Sequence, residues 1–356
     1  MSESATASAP AKTQPKAKKN RLSSGFFRFV LTRFLLIIPT VFILVTIVFF
    51  VMRATGDPIS AAMGGRLTPE ELQRRIHAAG YDRPLVVQYL DYLGGLLRGD
   101  LGTTLTDNQP VTTILTRYGA ATFELAFLSL IVALIVGIGL GRLAARRRDH
   151  AADAGIRVFA ILCYATPVFF LGLMLKLVFA VWLNVLPPSG RSSFASDMQF
   201  QRLVSPTGFY IIDAFQLGDM SVLVDVLRHA VLPALALGLL TAGVFIRLVR
   251  TNVISTYTSG YVEAARSRGV SEGRLLSKHA WRPAMIPIIT VMGMQIALML
   301  AGAVLTETTF EWKGLGFMLS QYLKQRDFVA VQGIVILIAI IVAVVNFIVD
   351  VISALI

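Results

Sequence analysis

The stretch YTSGYVEAARSRGVSEGRLLSKHAWRP, residues Tyr257–Pro283, separates two apolar stretches that could each cross a lipid bilayer. Its charged side chains are Glu263, Arg266, Arg268, Glu272, Arg274, Lys278 and Arg282. On insertion scales, such side chains cost roughly 2.5 to 3.5 kcal/mol each at the centre of a membrane. The stretch is therefore predicted to be a loop in water between two membrane spans.

Helix-start and helix-stop residues divide this loop into two parts. Gly260 suits the N-cap of a helix, and Glu263 then falls at the third helical position, near the positive end of the helix dipole. Gly269 suits the end of that helix, and Ser271 can cap a second helix that runs toward Pro283. The loop is predicted to form two short helices that meet at an elbow.

The whole chain has the composition of an all-α membrane protein. It is 55% hydrophobic and 15% charged, and its apolar residues are gathered in long blocks. A helix needs about 17 to 25 apolar residues to cross the hydrocarbon core. We predict six spans: Phe34–Met52, Leu125–Gly141, Val158–Leu183, Val231–Val249, Ala284–Leu305 and Ile334–Ala354.

The positions of lysine and arginine predict the orientation of these spans. Basic residues are concentrated in the leading tail, in the loop between the second and third spans, and in the loop of residues 257–283. These segments are predicted to be cytoplasmic, as are both termini. Because topology explains the net charge of +12, the basic composition gives little support to nucleic-acid binding.

The segments outside the membrane differ in character. Residues 1–24 are rich in Ala, Ser, Lys and Pro and are predicted to be a disordered, basic cytoplasmic tail. Residues 25–356 form the predicted transmembrane domain. Within it, residues 53–119 are predicted to be an extracytoplasmic elaboration, because they make up the longest polar stretch but contain too little apolar material for a core of their own.

This elaboration contains two predicted helices. Thr68 and Glu71 form a capping box, and Gly80 supplies a stop. Pro84 begins the other helix, whose apolar stripe requires a partner, most simply the outer ends of the spans. The stripe consists of Leu85, Tyr89, Leu93 and Leu96.

Sequence motifs for catalysis are absent. The chain has no G-x-x-x-x-G-K-S/T phosphate loop, no G-x-S-x-G and no H-E-x-x-H. Its single cysteine, Cys163, permits neither a disulfide nor a cysteine metal site. We predict a protein that is not an enzyme and has no catalytic residues, metal or cofactor, so that any ATP hydrolysis takes place on another subunit.

One function that this composition allows is that of an ion-coupled secondary transporter, and another is that of a purely structural membrane scaffold. A coupled carrier should place ionisable groups near the membrane midplane. Besides Arg247 near a cytoplasmic end, the spans or their edges contain only Glu124, Lys176 and Asp350. Lys176 has two interpretations: its ammonium extends to the outer interface, or it faces a translocation path.

The loop of residues 257–283 resembles the EAA loop of permease subunits in ATP-binding-cassette importers. Glu263, Ala264, Ala265 and Gly269 occupy the positions of the pattern E-A-A-x-x-x-G. In that family, the first helix of the loop docks into a cleft of the ATPase. A basic amphipathic helix lying on the membrane surface is the alternative for this segment.

Further blocks resemble the dipeptide/oligopeptide (peptide/nickel) permease family, and in particular its first permease subunit. The likeness extends from Arg33 to the end of the chain. Lys313 departs from the family pattern, which has proline there, and the usual short polar tail after Ile356 is missing. The blocks are RFLLIIPTVFILVTIVFFVMRATGDP (33–58), YDRPLVVQYLDYLGGLLRGDLG (81–102), VLPPSG (185–190), LRHAVLPAL (227–235), TETTFEWKGLG (306–316) and DFVAVQG (327–333).

The resemblance implies a type I importer permease fold in the bacterial cytoplasmic membrane. It also implies four kinds of partner: a second homologous permease, two ATP-binding subunits, an extracytoplasmic solute-binding protein and membrane lipid. The expected cargo is a di- or oligopeptide or a similar small solute, carried inward. Relatives of similar sequence carry dipeptides, longer peptides, nickel chelates, haem or glutathione, and the sequence does not distinguish these. The predicted ATPase-coupling residues are Tyr261, Glu263, Ala264, Ala265, Arg268, Gly269 and Ser271.

Overall fold

The computed structural model describes residues 21–65 and 67–355. Residues 1–20 of the predicted disordered tail lie outside this part. Helix α1 begins at Arg21, within the range assigned to the tail, because extending an existing helix by one turn is far easier than starting a new one.

The described residues form helices and no β-strand, with one isolated bridge between Thr103 and Pro110. Five helices are long and apolar enough to cross a membrane. The long helices are α1 (Arg21–Ala54), α5 (Val111–Arg146), α10 (Met220–Tyr257), α13 (Trp281–Phe310) and α15 (Phe328–Leu355). The shorter ones are α2 (Pro58–Met63), α3 (Pro69–Ala78), α4 (Leu85–Leu97), α6 (Ala151–Ala165), α7 (Val168–Leu175), α8 (Phe194–Phe200), α9 (Tyr210–Leu217), α11 (Gly260–Ser267), α12 (Glu272–Arg274) and α14 (Leu315–Lys324).

The third predicted span is not one straight helix. Helix α6 and the segment Val168–Trp182 meet at an angle of 108°, so that the protein has a sixth span only if this bent pair counts as one. Thr166 is extended (φ −80°, ψ 127°), because the ring of Pro167 disfavours a helical residue before it. The span predicted at Val158–Leu183 thus corresponds to a sharply bent pair of helices, and the predicted total of six spans is reached when this pair is counted as one.

The second half of the elbow also differs from the prediction. It does not end near Pro283 but continues without a break into the fifth span, giving a helix over Glu272–Phe310. A π-helical turn at Leu275–Ala280 joins α12 to α13. The wider hydrogen-bond spacing of this turn accommodates a proline soon after it, which lacks an N–H group.

Helices α5 and α10 form the centre of the bundle. In α10, 61% of the most apolar window is buried, against 11% in α1. Gly137 of α5 lies directly against Phe245 of α10, with no room for a Cβ, which is how small residues bring membrane helices together. Helix α1 packs mainly along α15 and exposes the rest of its apolar surface.

Helix α4 packs against the end of α1, as its apolar stripe predicted. The hydroxyl groups of Tyr89 and Thr46 lie 2.6 Å apart, and Tyr92 stacks on Phe49 with ring centres 5.3 Å apart. Leu85, the first residue of the predicted stripe, is exposed instead. The predicted cap of α3 is confirmed, since the Thr68 hydroxyl accepts a hydrogen bond from the Glu71 N–H.

Candidate functional site

Helix α11 is the first half of the predicted elbow. Its N-cap is Ser259, one residue before the predicted Gly260. Ser259 is extended, and its carbonyl accepts the Glu263 N–H at 3.1 Å, so Glu263 lies at the fourth helical position rather than the third. The charge still lies close to the positive end of the helix dipole.

The predicted stop at Gly269 is confirmed. This glycine has φ +81°, a conformation that side chains with a Cβ rarely adopt. The Gly269 N–H donates to the Arg266 carbonyl at 2.9 Å, and the Val270 N–H donates to the Ala265 carbonyl at 3.3 Å. These two bonds form a Schellman motif. Ser271 begins the next helix as predicted, but its side chain makes no capping hydrogen bond.

One face of α11 is buried and the other is exposed. Val262 is fully buried and attaches the helix to the π-helical turn, where Leu275 is also fully buried. Ala264 is exposed and Ala265 is half-buried. The exposed face thus has its smallest side chain at Ala264, and a partner could approach the backbone closely there. The other exposed side chains of the predicted set are Tyr261, Glu263, Arg268 and Ser271.

Glu272 connects the two halves of the elbow to the end of α10, a role that the sequence did not reveal. Its carboxylate accepts hydrogen bonds from the Tyr257 hydroxyl and from Arg266 Nε, the latter at 2.8 Å. The Arg266 guanidinium also lies over the Tyr257 ring, 5.0 Å from its centre. No local periodicity marks this triad, because its members come from three separate segments.

Glu124 of α5 and Arg191 of the loop before α8 form a buried ion pair at the end of the bundle far from the elbow. Arg191 Nη2 lies 2.5 Å from Glu124 Oε2, and both side chains are more than nine-tenths buried. The other Glu124 oxygen accepts the Ile211 N–H at 2.8 Å. Arg191 also donates to the Gly208 carbonyl and lies 3.7 Å from the centre of the Tyr210 ring.

Glu307 is a second buried carboxylate at this end, which the sequence prediction missed. It lies beyond Leu305, the predicted end of its span. Its oxygens accept the Thr122 hydroxyl at 2.6 Å and the Phe317 N–H at 2.8 Å. A Cβ at Gly314 would collide with this carboxylate. In the sequence, the glycines of the block TETTFEWKGLG could have indicated that another group approaches the backbone closely there, because glycine has no side chain to obstruct it.

Lys176 lies at the same end of the molecule. Its ammonium donates to the Thr309 carbonyl at 2.9 Å and lies 5.6 Å from the centre of the Phe310 ring. Thr309 belongs to the last turn of α13, where unpaired carbonyl groups and the negative end of the dipole favour a cation. The side chain is half-buried. Its contact with a helix end is a role that neither sequence interpretation foresaw.

The elbow and the buried carboxylates are separated by the length of the spans. Helix α13 has 30 residues, which corresponds to about 45 Å at 1.5 Å per residue. This exceeds the roughly 30 Å of a bilayer's hydrocarbon core. The two regions therefore lie at opposite membrane surfaces.

Comparison with known proteins places this arrangement in a family. The family model described as "Binding-protein-dependent transport system inner membrane component" matches residues 137–356, and the model of the N-terminal part of such components matches residues 26–125. This chain is an inner-membrane component of that family. The family comprises membrane permease components of ATP-binding-cassette transporters and not enzymes.

Several relatives resemble the permease over almost its full length. The di/tripeptide transport system permease protein DppB of Pseudomonas aeruginosa (strain UCBPP-PA14) is 36% identical, covering 92% of this chain and 96% of the relative. The dipeptide transport system permease protein DppB of Escherichia coli (strain K12) is 37% identical, covering 91% and 95%. The glutathione transport system permease protein GsiC of Salmonella choleraesuis (strain SC-B67) is 31% identical, covering 92% and 96%. The permease thus works with an ATPase and a solute-binding protein.

Proposed function

We propose that the permease carries di- or oligopeptides inward as the first of two homologous permeases in a type I importer. The names of its relatives support this solute class, because they are transporters of dipeptides, di/tripeptides and glutathione, which all contain peptide bonds. The observation that carries the coupling role is helix α11. It presents the exposed Ala264 between α10 and the continuous helix over Glu272–Phe310.

In the proposed mechanism, α11 docks into a cleft of the ATPase and passes its movement to two spans. One path leads through the continuous helix Glu272–Phe310, which begins in the elbow and ends at the far side of the bundle. The other leads through the Glu272 carboxylate to Tyr257 at the end of α10. Movement of the elbow would thereby displace α10 and α13 together. The coupling residues are Tyr261, Glu263, Ala264, Ala265, Arg268, Gly269 and Ser271.

The complete importer is proposed to contain two permeases, two ATP-binding subunits and one extracytoplasmic binding protein. The elbow faces the cytoplasm in this proposal because it is rich in arginine. Both termini then face the cytoplasm of a bacterial cell. Residues 53–119 lie on the other side, where the solute-binding protein would deliver its ligand.

The ionisable groups near the spans do not favour ion-coupled transport. Glu124 forms an ion pair with Arg191, and Asp350 Oδ2 forms one with Arg33 Nε at 3.3 Å. Lys176 is bonded to a backbone carbonyl. A coupled carrier requires a site that exchanges its ion, whereas each of these three groups is bonded within the protein. The Glu307 carboxylate is also bonded, to the Thr122 hydroxyl and the Phe317 N–H.

Ala264→Phe tests the docking of α11. A phenyl ring on the exposed face should keep the ATPase from approaching the backbone, so ATPase copurification and peptide uptake should both fall at least tenfold, about the effect of 1.4 kcal/mol. Ser277→Phe is the matched control, since Ser277 is exposed in the elbow but lies outside α11. If Ala264→Phe left both measurements unchanged, α11 would not be the docking helix. The solute class is tested separately, by identifying the ligand held by the partner binding protein.

A further inference from the structure

A polar cleft lies between the end of α1, helix α4 and the start of α15. Its volume is about 330 Å³, within the range of small-ligand pockets. Arg53 lines it from α1, Gln88 and Tyr92 from α4, and Gln332 from α15. The cleft is distinct from the elbow and from the buried carboxylates, and the transport mechanism proposed above does not use it.

Four buried polar atoms on these residues make no hydrogen bond of normal geometry among the described residues: Arg53 Nε, Gln88 Oε1, Tyr92 Oη and Gln332 Nε2. Burial raises the pKa of Tyr92 and the neighbouring Gln332 amide partly offsets this, so the last two atoms lie near each other. Gln88 is only 9% exposed. Its amide nitrogen donates to the Tyr81 and Arg83 carbonyls at 2.9 and 2.8 Å, which fixes the side chain and leaves its oxygen free. Buried polar groups are normally hydrogen-bonded, so their convergence on one cleft indicates a bound polar group.

Charged side chains of both signs line the cleft. The Arg53 guanidinium lies over the rings of Phe49 and Tyr81, 5.2 and 4.3 Å from their centres. No carboxylate in the described part of the chain forms an ion pair with it. Asp91 and Asp100 also line the cleft. A ligand with both an oxyanion and a cation would match this arrangement.

The hydrogen-bonding groups that line the cleft further restrict the chemistry of a possible ligand. Arg53 Nε and Gln332 Nε2 are donors. Burial raises the pKa of Tyr92, so its hydroxyl stays protonated and is a third donor. Gln88 Oε1 is an acceptor, and an ammonium group with N–H bonds could donate to it and to Asp100. A ligand that matches these groups contains an oxyanion, which accepts several hydrogen bonds, next to a primary ammonium.

The surroundings of the cleft indicate a lipid. The cleft is at the end of a membrane-spanning helix, where lipid headgroups lie. Helix α4 turns one side toward the cleft, while its exposed apolar residues include Val86, Leu90 and Leu97. Such a helix resembles those that lie in the membrane interface with their apolar side in the acyl chains. A headgroup in the cleft would thus have its acyl chains next to an apolar surface.

We propose that this cleft binds the headgroup of a phospholipid with a primary ammonium, such as phosphatidylethanolamine. The phosphodiester accepts hydrogen bonds from Arg53, Tyr92 and Gln332. The ammonium donates to Gln88 and to the Asp100 carboxylate. The bound lipid joins α4 to α1 and α15.

Native mass spectrometry of the full-length permease tests the proposal. Purified protein is mixed with equimolar phosphatidylethanolamine, phosphatidylcholine and phosphatidylglycerol, and the retained lipid is identified. Phosphatidylethanolamine should be retained preferentially, because a choline group has no N–H to donate and a glycerol group has no cation. Arg53→Gln should lower its retention about tenfold, the effect of losing a charge-assisted hydrogen bond.

Two variants separate binding from folding. Arg98→Gln is the matched control, because the Arg98 side chain is exposed on the same segment and donates to the Gly94 carbonyl. This variant should retain as much phosphatidylethanolamine as the wild type. Gln332→Met removes a donor but keeps the contacts of Arg53 with its aromatic neighbours, and should also lower retention. Equal retention of the three lipids, or no loss in either Arg53→Gln or Gln332→Met, would overturn the proposal. Binding of free glycerophosphoethanolamine without retention of the lipid would overturn it as well.

Discussion

The elbow and the far end of the membrane bundle satisfy their charges in opposite ways, although the end of α10 next to the elbow also has a largely buried pair, Asp153–Arg250. At the elbow, the Arg266–Glu272 pair is exposed, and the docking surface proposed for α11 is centred on the small side chain of Ala264. At the far end, the Glu124–Arg191 pair is buried and further hydrogen-bonded to backbone groups. Exposed pairs are weak and adaptable, whereas buried pairs tolerate little change. The elbow is thus suited to binding a partner, and the far end to holding the spans together.

The elbow and the far end are expected to face opposite sides of the membrane. In a background in which Cys163 is replaced by serine, Ser271→Cys and Ser205→Cys place thiols on the elbow and on the far loop, both at exposed positions. A membrane-impermeant maleimide should label only Ser205→Cys in intact cells, an all-or-none difference. The Cys163→Ser background alone should remain unlabelled. Labelling of both sites from outside would contradict the opposed arrangement.

The largest expected effect on stability comes from the buried pair. Arg191→Met leaves the Glu124 carboxylate buried without its counter-ion, which should lower the free energy of unfolding by about 3 to 5 kcal/mol. Arg266→Met is the matched change at the elbow and should cost at most about 1 kcal/mol. Denaturant unfolding in detergent measures both. The double variant Glu124→Gln/Arg191→Met should recover part of the loss, and similar losses for Arg191→Met and Arg266→Met would remove the distinction between the two ends.

A change at Gly269 is expected to have an effect of intermediate size, on local stability and on coupled ATP hydrolysis. Gly269→Val places a β-branched side chain at φ +81°, which should cost about 1 to 2 kcal/mol locally. Because the change lies outside the spans, membrane insertion should persist while peptide-stimulated ATP hydrolysis falls. Gly273→Val is the control, since a Cβ there meets no neighbour and the φ angle is not positive. Unchanged coupled hydrolysis in Gly269→Val would show that the elbow need not hold this bend.

A change at Lys176 is expected to have the smallest effect on stability and on peptide uptake. Lys176→Met removes one hydrogen bond to the end of α13 and should cost about 0.3 to 1 kcal/mol. Peptide uptake at equal expression should remain close to that of the wild type. A large fall in uptake with normal assembly would instead support the second sequence interpretation, in which Lys176 faces the translocation path.

The elbow was largely predictable because its signals are local. The N-cap of α11 is Ser259, one residue before the predicted Gly260, and the stop at Gly269 was confirmed. Both depend on capping within a few residues of chain. The continuation of the second elbow helix past Pro283 was missed, because a proline normally signals a break and the π-helical turn before it has no equally clear sequence signal.

The far end was less predictable because its contacts join distant segments. Glu124 and Arg191 are 67 positions apart, and Thr122 and Glu307 are 185 apart. Hydropathy placed Glu307 outside its span, although the helix continues through it to Phe310. A carboxylate that is paired inside the protein can remain within a membrane helix, but no local pattern names its partner.

The sequence by itself determined the all-α membrane class, the approximate positions of the long spans and the place of the elbow. It could do so because lipid excludes charged side chains and unpaired backbone groups wherever they occur, which leaves a record in composition alone. Only the tertiary structure decided the 108° bend between α6 and α7, the partners of Glu124 and Glu307, and the convergence of four polar atoms on one cleft. These features depend on how helices from remote parts of the chain pack against one another, and packing depends on shape and distance that a linear pattern does not contain.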